Sequence, residues 1–552
     1  MRARKGALWS PGLVWVACTA VLWAFVGTGW ATVWNVSTVG DIQNAVNNAA
    51  PYDTIIIAPG TYYMTSRLNI YDHHLTIQGS TGNRDDVVLV GGGMNTDVEP
   101  REMMDLHTDD VTIRDLTISE CYHHGVHIRT EQDVDRTTVS NVKTLNCGER
   151  HIKGSTNFAN VSEGILIENC HLLQTKANTG GDTNYIGGID MMTLDGCTIR
   201  DSVMQDIQGS SGGGRGGIFL WNESNNCTAE RNLIIGCDRG IAFGNPSGTV
   251  TYHNDTGIIR NNFIVRGADI AMELCRTKDL KVYNNTIYSA DAGYFRTVHI
   301  NNSSTTNLHL AYNIIRGQIL PTEGATFTDT GNITGSTPAN DWFVDPLNGD
   351  LHLTELATSA IDAAALLPEV PVDIDGDARP SGDYPDVGAD EYLWPLPSLV
   401  SSDPAADGTL CKTQNNVILI TFDDDIALPV GQPALSIFGG GFEEGDAFTY
   451  SVEPDGVTLK AVEQGAILTD LTWYQITPAA GFGVEPFAFD LCALIGDANN
   501  SGRVTTADYT EVKLHMGEYT DARYDLNDSG RVTTADYSVV KTYMGNRAPT
   551  KP

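Results

Sequence analysis

From Val111 to Arg316, apolar and polar positions alternate in short bursts, and the bursts recur. One phrase sets an apolar residue, a spacer, an Asn or small polar residue, and then Ile or Leu one or more residues later. It occurs in Ile113-Arg114-Asp115, Val139-Ser140-Asn141, Ile167-Glu168-Asn169 and Leu194-Asp195-Gly196. It returns in Ala229-Glu230-Arg231, Ile259-Arg260-Asn261, Val282-Tyr283-Asn284 and Leu310-Ala311-Tyr312. The third positions (115, 141, 169, 196, 231, 261, 284 and 312) are 26, 28, 27, 35, 30, 23 and 28 residues apart. Period 2 inside each phrase predicts strands, and the longer repeat predicts a solenoid of stacked coils. A second phrase keeps the same rhythm: Gly125-Val126-His127-Ile128-Arg129, Arg150-His151-Ile152-Lys153, Gly188-Ile189-Asp190-Met191-Met192 and Gly217-Ile218-Phe219-Leu220-Trp221, then 240–244, 270–273 and 298–301. Each coil therefore holds at least two strands, and stacking places equivalent strands about 4.8 Å apart in parallel ladders.

These phrases resemble the right-handed parallel β-helix of pectate lyases, polysaccharide lyases and related carbohydrate-active proteins, over residues 32–392. The expected fold class is mainly β. Val39 to Val46 has helical spacing and leads into the apolar strand at Ile55-Ile56-Ile57, as a cap over the first coil would. Residues 317–392 lose the rhythm and resemble the closing segment of secreted bacterial β-helix proteins; Asp373, Asp375 and Asp377 could bind calcium but lack the downstream acid of a full loop, and an Asp-Gly turn is the favoured reading. Residues 1–31 combine a basic start, an apolar run from Leu13 to Val26 and Gly29-Trp30-Ala31. That is a signal peptide, so the mature chain is expected to be secreted, extracellular or attached to the cell surface. No other run approaches the ~20 apolar residues of a spanning helix.

After Leu396 the composition changes. Val417 to Phe422, Phe448 to Val452 and Thr472 to Ile476 read as short strands between turn clusters. Residues 393–490 are expected to form a β-sandwich similar to bacterial immunoglobulin-like modules. Cys411 and Cys492 bracket it and could pair, whereas Cys170 and Cys197 are expected to stack in consecutive coils. The absence of a Cys-x-x-Cys pair argues against zinc.

Near the C-terminus a twelve-residue loop occurs twice, at an offset of 28. Asp497, Asn499, Ser501, Arg503, Thr505 and Asp508 recur as Asp525, Asn527, Ser529, Arg531, Thr533 and Asp536, with Gly502 and Gly530 at the sharp turn. The arginines would offer their carbonyls and the others side-chain oxygens, a donor set for Ca2+. Each loop precedes a helical stretch. The pair resembles the dockerin domain over residues 495–546, which implies two bound Ca2+ ions and docking to a cohesin-like partner. Ser501 and Ser529 stand where many dockerins carry Asp.

The chain holds 69 acidic and 34 basic residues, a formal charge of -35. Nucleic acid is excluded as a partner on that balance, because phosphate binding needs cationic surface. On the solenoid, alternation turns His127 and Arg129 outward. Stacking predicts one outward column of His127, His151, Asp190, Phe219, Ala242, Ala271 and His299, beside a second of Arg129, Lys153, Met192, Trp221, Gly244, Glu273 and Asn301. Such a cluster suits an acidic polysaccharide. In β-elimination a base removes the C5 proton of a uronic acid while cations neutralise the carboxylate. Arg129 is the expected clamp, Lys153 the base, with His127 or His151 as alternatives. Asp190 is expected to orient a histidine or join a metal, so that a further Ca2+ could lie in the solenoid groove, and Trp221 to stack on a sugar. Two other readings stay open: a binding or adhesion solenoid without catalysis, and a hydrolase of polygalacturonase type. Against the last, Asp97 and Asp109 are 12 residues apart, about half a coil.

Overall fold

The computed structural model describes residues 31–551 apart from 249, 440–441, 444–446 and 520–522; the stretch expected to be a signal peptide lies, up to residue 30, outside the described residues. The chain divides into two compact units after Leu393. No helix among the described residues is long and apolar enough to cross a membrane.

Parallel strands build the first unit, in one sheet of 21 strands and another of 10. Two long strands, Thr112–Cys121 and Thr138–Cys147, run through both halves of the larger sheet, which is thus two ladders joined there. With the ten-stranded sheet as the third ladder, each coil has three faces. Ile113, Val139, Ile167, Ile199, Ala229, Ile259, Val282 and Leu310 sit directly over one another in the first ladder. All point inward, at 0–1% exposure. The helix Val39–Asn48 is capped by Thr38, whose hydroxyl accepts from the Asp41 amide, and it buries Ile42, Ala45 and Val46 in the same core.

The corner between the first and second ladders needs one residue in the left-handed region. Asp115, Asn141, Asn169, Arg231, Asn261, Asn284 and Tyr312 take it, at φ of 48–60°. Asn and Asp tolerate that conformation best after Gly. In the fourth phrase the corner residue is Asp201 (φ 52°), and Gly196 is not its equivalent. The spacing of 35 therefore becomes 32, and the next becomes 30. The same slip corrects the cysteines. Cys170 lies beside Ser202, whose hydroxyl accepts from its amide, while the residue after Cys197, Thr198, pairs with Thr228, so that Cys197 stacks on Cys227. All nine described cysteines, Cys411 and Cys492 included, are free and buried.

One residue past the corner, Asn232, Asn262, Asn285, Asn313 and Asn332 form an internal ladder. Each amide donates to the next carbonyl oxygen at 2.7–3.0 Å. The segment after the last coils runs back along the outside of the second ladder. Trp342, Phe343, Leu351, Leu353 and Val387 pack there on Phe263, Tyr288 and Ile314. In its Asp-Gly turn, the Asp373 carboxylate accepts from the amides of Asp375, Gly376 and Asp377.

The second unit joins a four-stranded sheet to a five-stranded one around Ile418, Ile420, Leu459, Tyr474, Ile476 and Leu491. The sheets are antiparallel except where Thr409–Leu410 pairs with Phe489–Ala493. Two helices follow, Thr506–Leu514 and Thr534–Tyr543. Their apolar residues Val512 and Val540 share one core with Cys411, Cys492 and Leu494.

Candidate functional site

The second phrase forms the third ladder. Val126, Ile152, Ile189 and Ile218 are paired and point inward. The outward column between them runs Asp105, His127, Lys153, Asp190, Phe219, Ala242, Glu273, His299. This differs from the expected columns by two residues at Lys153 and again at Glu273. Lys153 therefore faces His127 on one side and Asp190 on the other, and Arg129 lies two residues past His127, just beyond the end of the strand His124–Ile128.

His151 is turned inside. It is fully buried, and its Nδ1 lies 2.8 Å from Oγ1 of Thr144 in the second ladder. It occupies the inward place that Gly125 and Gly188 hold in neighbouring coils. Loss of water around the ring holds it neutral, down to about 4. His151 is thus a core residue and is no candidate base.

Arg129 is already engaged. Its Nε and Nη2 donate to the two oxygens of Asp105 at 2.5 and 2.7 Å. Glu102 lies 3.4 Å from the same Nη2, and Glu131 3.4 Å from Nη1. Hydrogen bonds to Asp105 raise the guanidinium pKa further. A bidentate pair of this kind satisfies the fork that would otherwise hold a substrate carboxylate.

Lys153 is 4% exposed, and its Nζ lies 3.4 Å from Oδ1 of Asp190. Burial lowers its pKa, opposed by the Asp190 charge and reinforced by Arg150. Burial likewise pushes Asp190 up, but Arg150 and Lys153 hold it below the usual range. Arg150 donates to Asp190 at 2.5 Å and lies over the Tyr185 ring at 3.8 Å. Trp221 donates from Nε1 to Asp190 at 3.0 Å and stacks on Phe219, centroids 5.2 Å apart. Asp190 is therefore the hub that joins two cations to an aromatic pair.

Two groups here, Glu102 and Glu149, lie off the strands, and His124 opens the strand His124–Ile128 in register with Arg150. Glu102 comes from the loop at 91–103, where strand alternation stops. His127 Nδ1 lies 3.4 Å from Oε1 of Glu102 and His124 Nε2 lies 3.8 Å from it. The loops at 91–103 and 174–186 meet across these rungs, where Asn95 donates to the Ala177 carbonyl and accepts from the Thr179 amide. Away from this face, Asp97 pairs with Arg101, and Asp109 and Asp110 pair with Arg136.

In the second unit the duplicated loops have closely matching geometry. Asp497 accepts from the amides of Ser501 and Gly502, and Asp525 from those of Ser529 and Gly530. The Ser501 and Ser529 hydroxyls donate to the carbonyls of Arg503 and Arg531. Thr505 and Thr533 cap the two helices, in capping boxes with Asp508 and Asp536. Asn499 Oδ1 accepts from Ser501, whereas Asn527 Oδ1 is buried without a hydrogen-bond partner. Burial raises the Asp497 carboxyl, with the Asp508 charge adding to it. A crowded set of oxygens with one orphan acceptor fits a hard cation, which these residues would hold.

A parallel β-helix with a charged outward column, followed by a β-sandwich and paired calcium-type loops, is the class of protein these features define. Residues 495–545 match the family model for the dockerin type I domain, and this C-terminal segment is such a domain. The structure resembles that of the PL6 family alginate lyase AlyGC, with 12% identity and a TM-score of 0.33 over 69% of this chain and 61% of that one. It also resembles the alginate lyase AlyF-OU02, with 14% identity and a TM-score of 0.31 over 66% and 93% of the two chains. A third likeness is to tailspike protein gp49 from Acinetobacter baumannii bacteriophage Fri1, a capsular polysaccharide depolymerase, with 11% identity and a TM-score of 0.26 over 83% of each. This chain spans about three-fifths of the length of the first. No curated protein matches the sequence.

Proposed function

We propose that the solenoid cleaves an acidic, uronic-acid polysaccharide by β-elimination, with Lys153 as base, and that the dockerin fastens it through bound calcium to a cohesin outside the cell. The observation that carries this reading is Lys153. It is a lysine on the outward column whose burial lowers its pKa, flanked by His127 and Asp190. Burial favours the neutral form of the amine, which is the form that can take the C5 proton. The departing C4 oxygen takes its proton from solvent water. The stacked pair of Phe219 and Trp221 two rungs away offers a face for a sugar ring. Arg129, held by Asp105, shapes the carboxylates around His127 and does not clamp the substrate.

A second reading is favoured by the ion pair of Lys153 with Asp190 at 3.4 Å and by its small exposure. Groups so well satisfied can serve a surface that binds polysaccharide and leaves it intact. One assay separates the two. On pectin, alginate and glycosaminoglycans, a lyase releases unsaturated products that absorb in the near ultraviolet, and Lys153→Ala lowers that rate by at least about a hundredfold. Retention of polysaccharide without any such product assigns the solenoid to binding.

A further inference from the structure

We infer that Glu102, His124 and His127 form a site for a divalent transition metal, zinc in the first instance, separate from the calcium loops of the dockerin. One ligand atom from each lies within 4.8 Å of the others. Glu102 Oε1 is 3.4 Å from His127 Nδ1 and 3.8 Å from His124 Nε2. The first gap is at the limit of a hydrogen bond and the second is beyond it. A tetrahedral ion with bonds of ~2.1 Å separates its ligands by about 3.4 Å. The two distances from Glu102 are close to that separation, and the third pair lies within 4.8 Å.

His124 points to the same conclusion by a separate route. It is 7% exposed and makes no hydrogen bond through its ring. Nδ1 has no partner, and Nε2 faces carboxylate oxygens of Glu102 and Glu149 at 3.8 and 3.7 Å. A metal at Nε2 gives this ring a polar partner on the side that faces Glu102 and Glu149, where no hydrogen bond is made.

The surroundings orient the other two ligands. His127 sets Nε2 3.2 Å from the Ser155 hydroxyl, which leaves Nδ1 to face Glu102. Glu102 turns Oε2 toward Arg67 and Arg129, 3.4 Å from each, so that Oε1 faces the imidazoles. Metal-binding histidines and carboxylates are held by such outer contacts. Two imidazoles and one carboxylate suit zinc and neighbouring metals, whereas calcium takes six to eight oxygens. Three protein ligands leave a fourth position for water or a substrate oxygen. Asp190, which the sequence offers as one that could join a metal, is taken up by Arg150, Lys153 and Trp221. The site stands whether or not Lys153 acts as a base.

The test is zinc retention by the full chain after dialysis against zinc chloride, with calcium in excess to fill the dockerin loops. Elemental analysis reads the metal, and cobalt substitution reads geometry through its visible bands. About one zinc per chain is expected at this site, with tetrahedral-type cobalt absorption. His124→Ala and Glu102→Gln should each reduce zinc to the buffer background. His352→Asn, in the other His–carboxylate cluster with Asp375 and Asp390, should leave it in place. Circular dichroism of the metal-free variants checks folding; should His124→Ala fail to fold, the near-isosteric Glu102→Gln decides. Full zinc retention in the folded variants, or loss in His352→Asn alone, overturns the assignment, as does wild-type protein that holds no zinc.

Discussion

His151 and His253 are both fully buried and both held at about 4, first by loss of water around the ring. His253 also accepts the Asn222 amide at Nδ1, which requires the neutral ring. Unfolded, each would titrate near 6.5. Below that pH the unfolded chain takes up protons that the folded chain refuses until about 4. The stabilisation is therefore complete above ~6.5 and lost as pH falls toward 4, to the extent of about 3 kcal/mol per histidine. Solenoid stability measured by denaturant should fall over that window, and less steeply in His253→Asn; parallel curves for the two proteins would contradict this. The same residues explain what was legible. Alternation along each strand gave the outward direction of His127, Lys153 and Asp190. Aligning the phrases on Val126, Ile152 and Ile189 would have stacked His127 on Lys153 and set His151 level with Gly125 and Gly188, but alternation sends that position outward, and the contact with Thr144 is what turns His151 inside. Glu102 left no trace, because its loop follows no period.

Strands and corners set the next scale. The solenoid was legible since two rhythms, period 2 and a period in the twenties, survive in one sequence. The slip at Gly196 arose because Gly, Asn and Asp all suit the left-handed corner, so composition alone did not separate Gly196 from Asp201. The asparagine ladder was present in the same phrases but passed unread, since an Asn after a corner looks like one more turn residue. Buried at 0%, Asn262 donates to the carbonyls of Ala229 and Arg260 and to Asn285, and it accepts from Asn232. Removing it strands partners on both sides. Asn262→Ala is expected to cost about 3 kcal/mol, from an orphaned buried amide or carbonyl at about 1–3 kcal/mol each. Hydrogen exchange should quicken at Asn232 and Asn285 while distant coils keep their protection, because each coil touches only its neighbours.

In the second unit as a whole, the sandwich and the dockerin form one body. Thr409, in a sandwich strand, donates its hydroxyl to the calcium-loop carboxylate of Asp497 at 3.0 Å. Its amide donates to Asn500 at 2.6 Å, and Lys412 pairs with Asp528 of the second loop. Sequence composition marked a border near residue 490 and could not reveal that Cys411, Cys492, Leu494 and Val540 share a core across it. Chelating calcium should accordingly lower helix content and also speed hydrogen exchange in Thr409–Leu410 and Phe489–Ala493. Ligand linkage sets the scale, about 2.7 kcal/mol at a hundredfold excess over Kd. Asp497→Ala combined with Asp525→Ala should mimic the chelated state. Exchange that quickens in the helices alone would mean the two parts unfold independently.

That common core also bears on mechanics. A docking module on a slack tether would swing freely and transmit tension only when the tether is taut. Here a pull delivered at the dockerin passes at once into the sandwich strands through Thr409, Lys412 and the packed apolar residues behind them. The second unit is accordingly built as a stiff handle, and a cohesin that grips it takes hold of the sandwich as well.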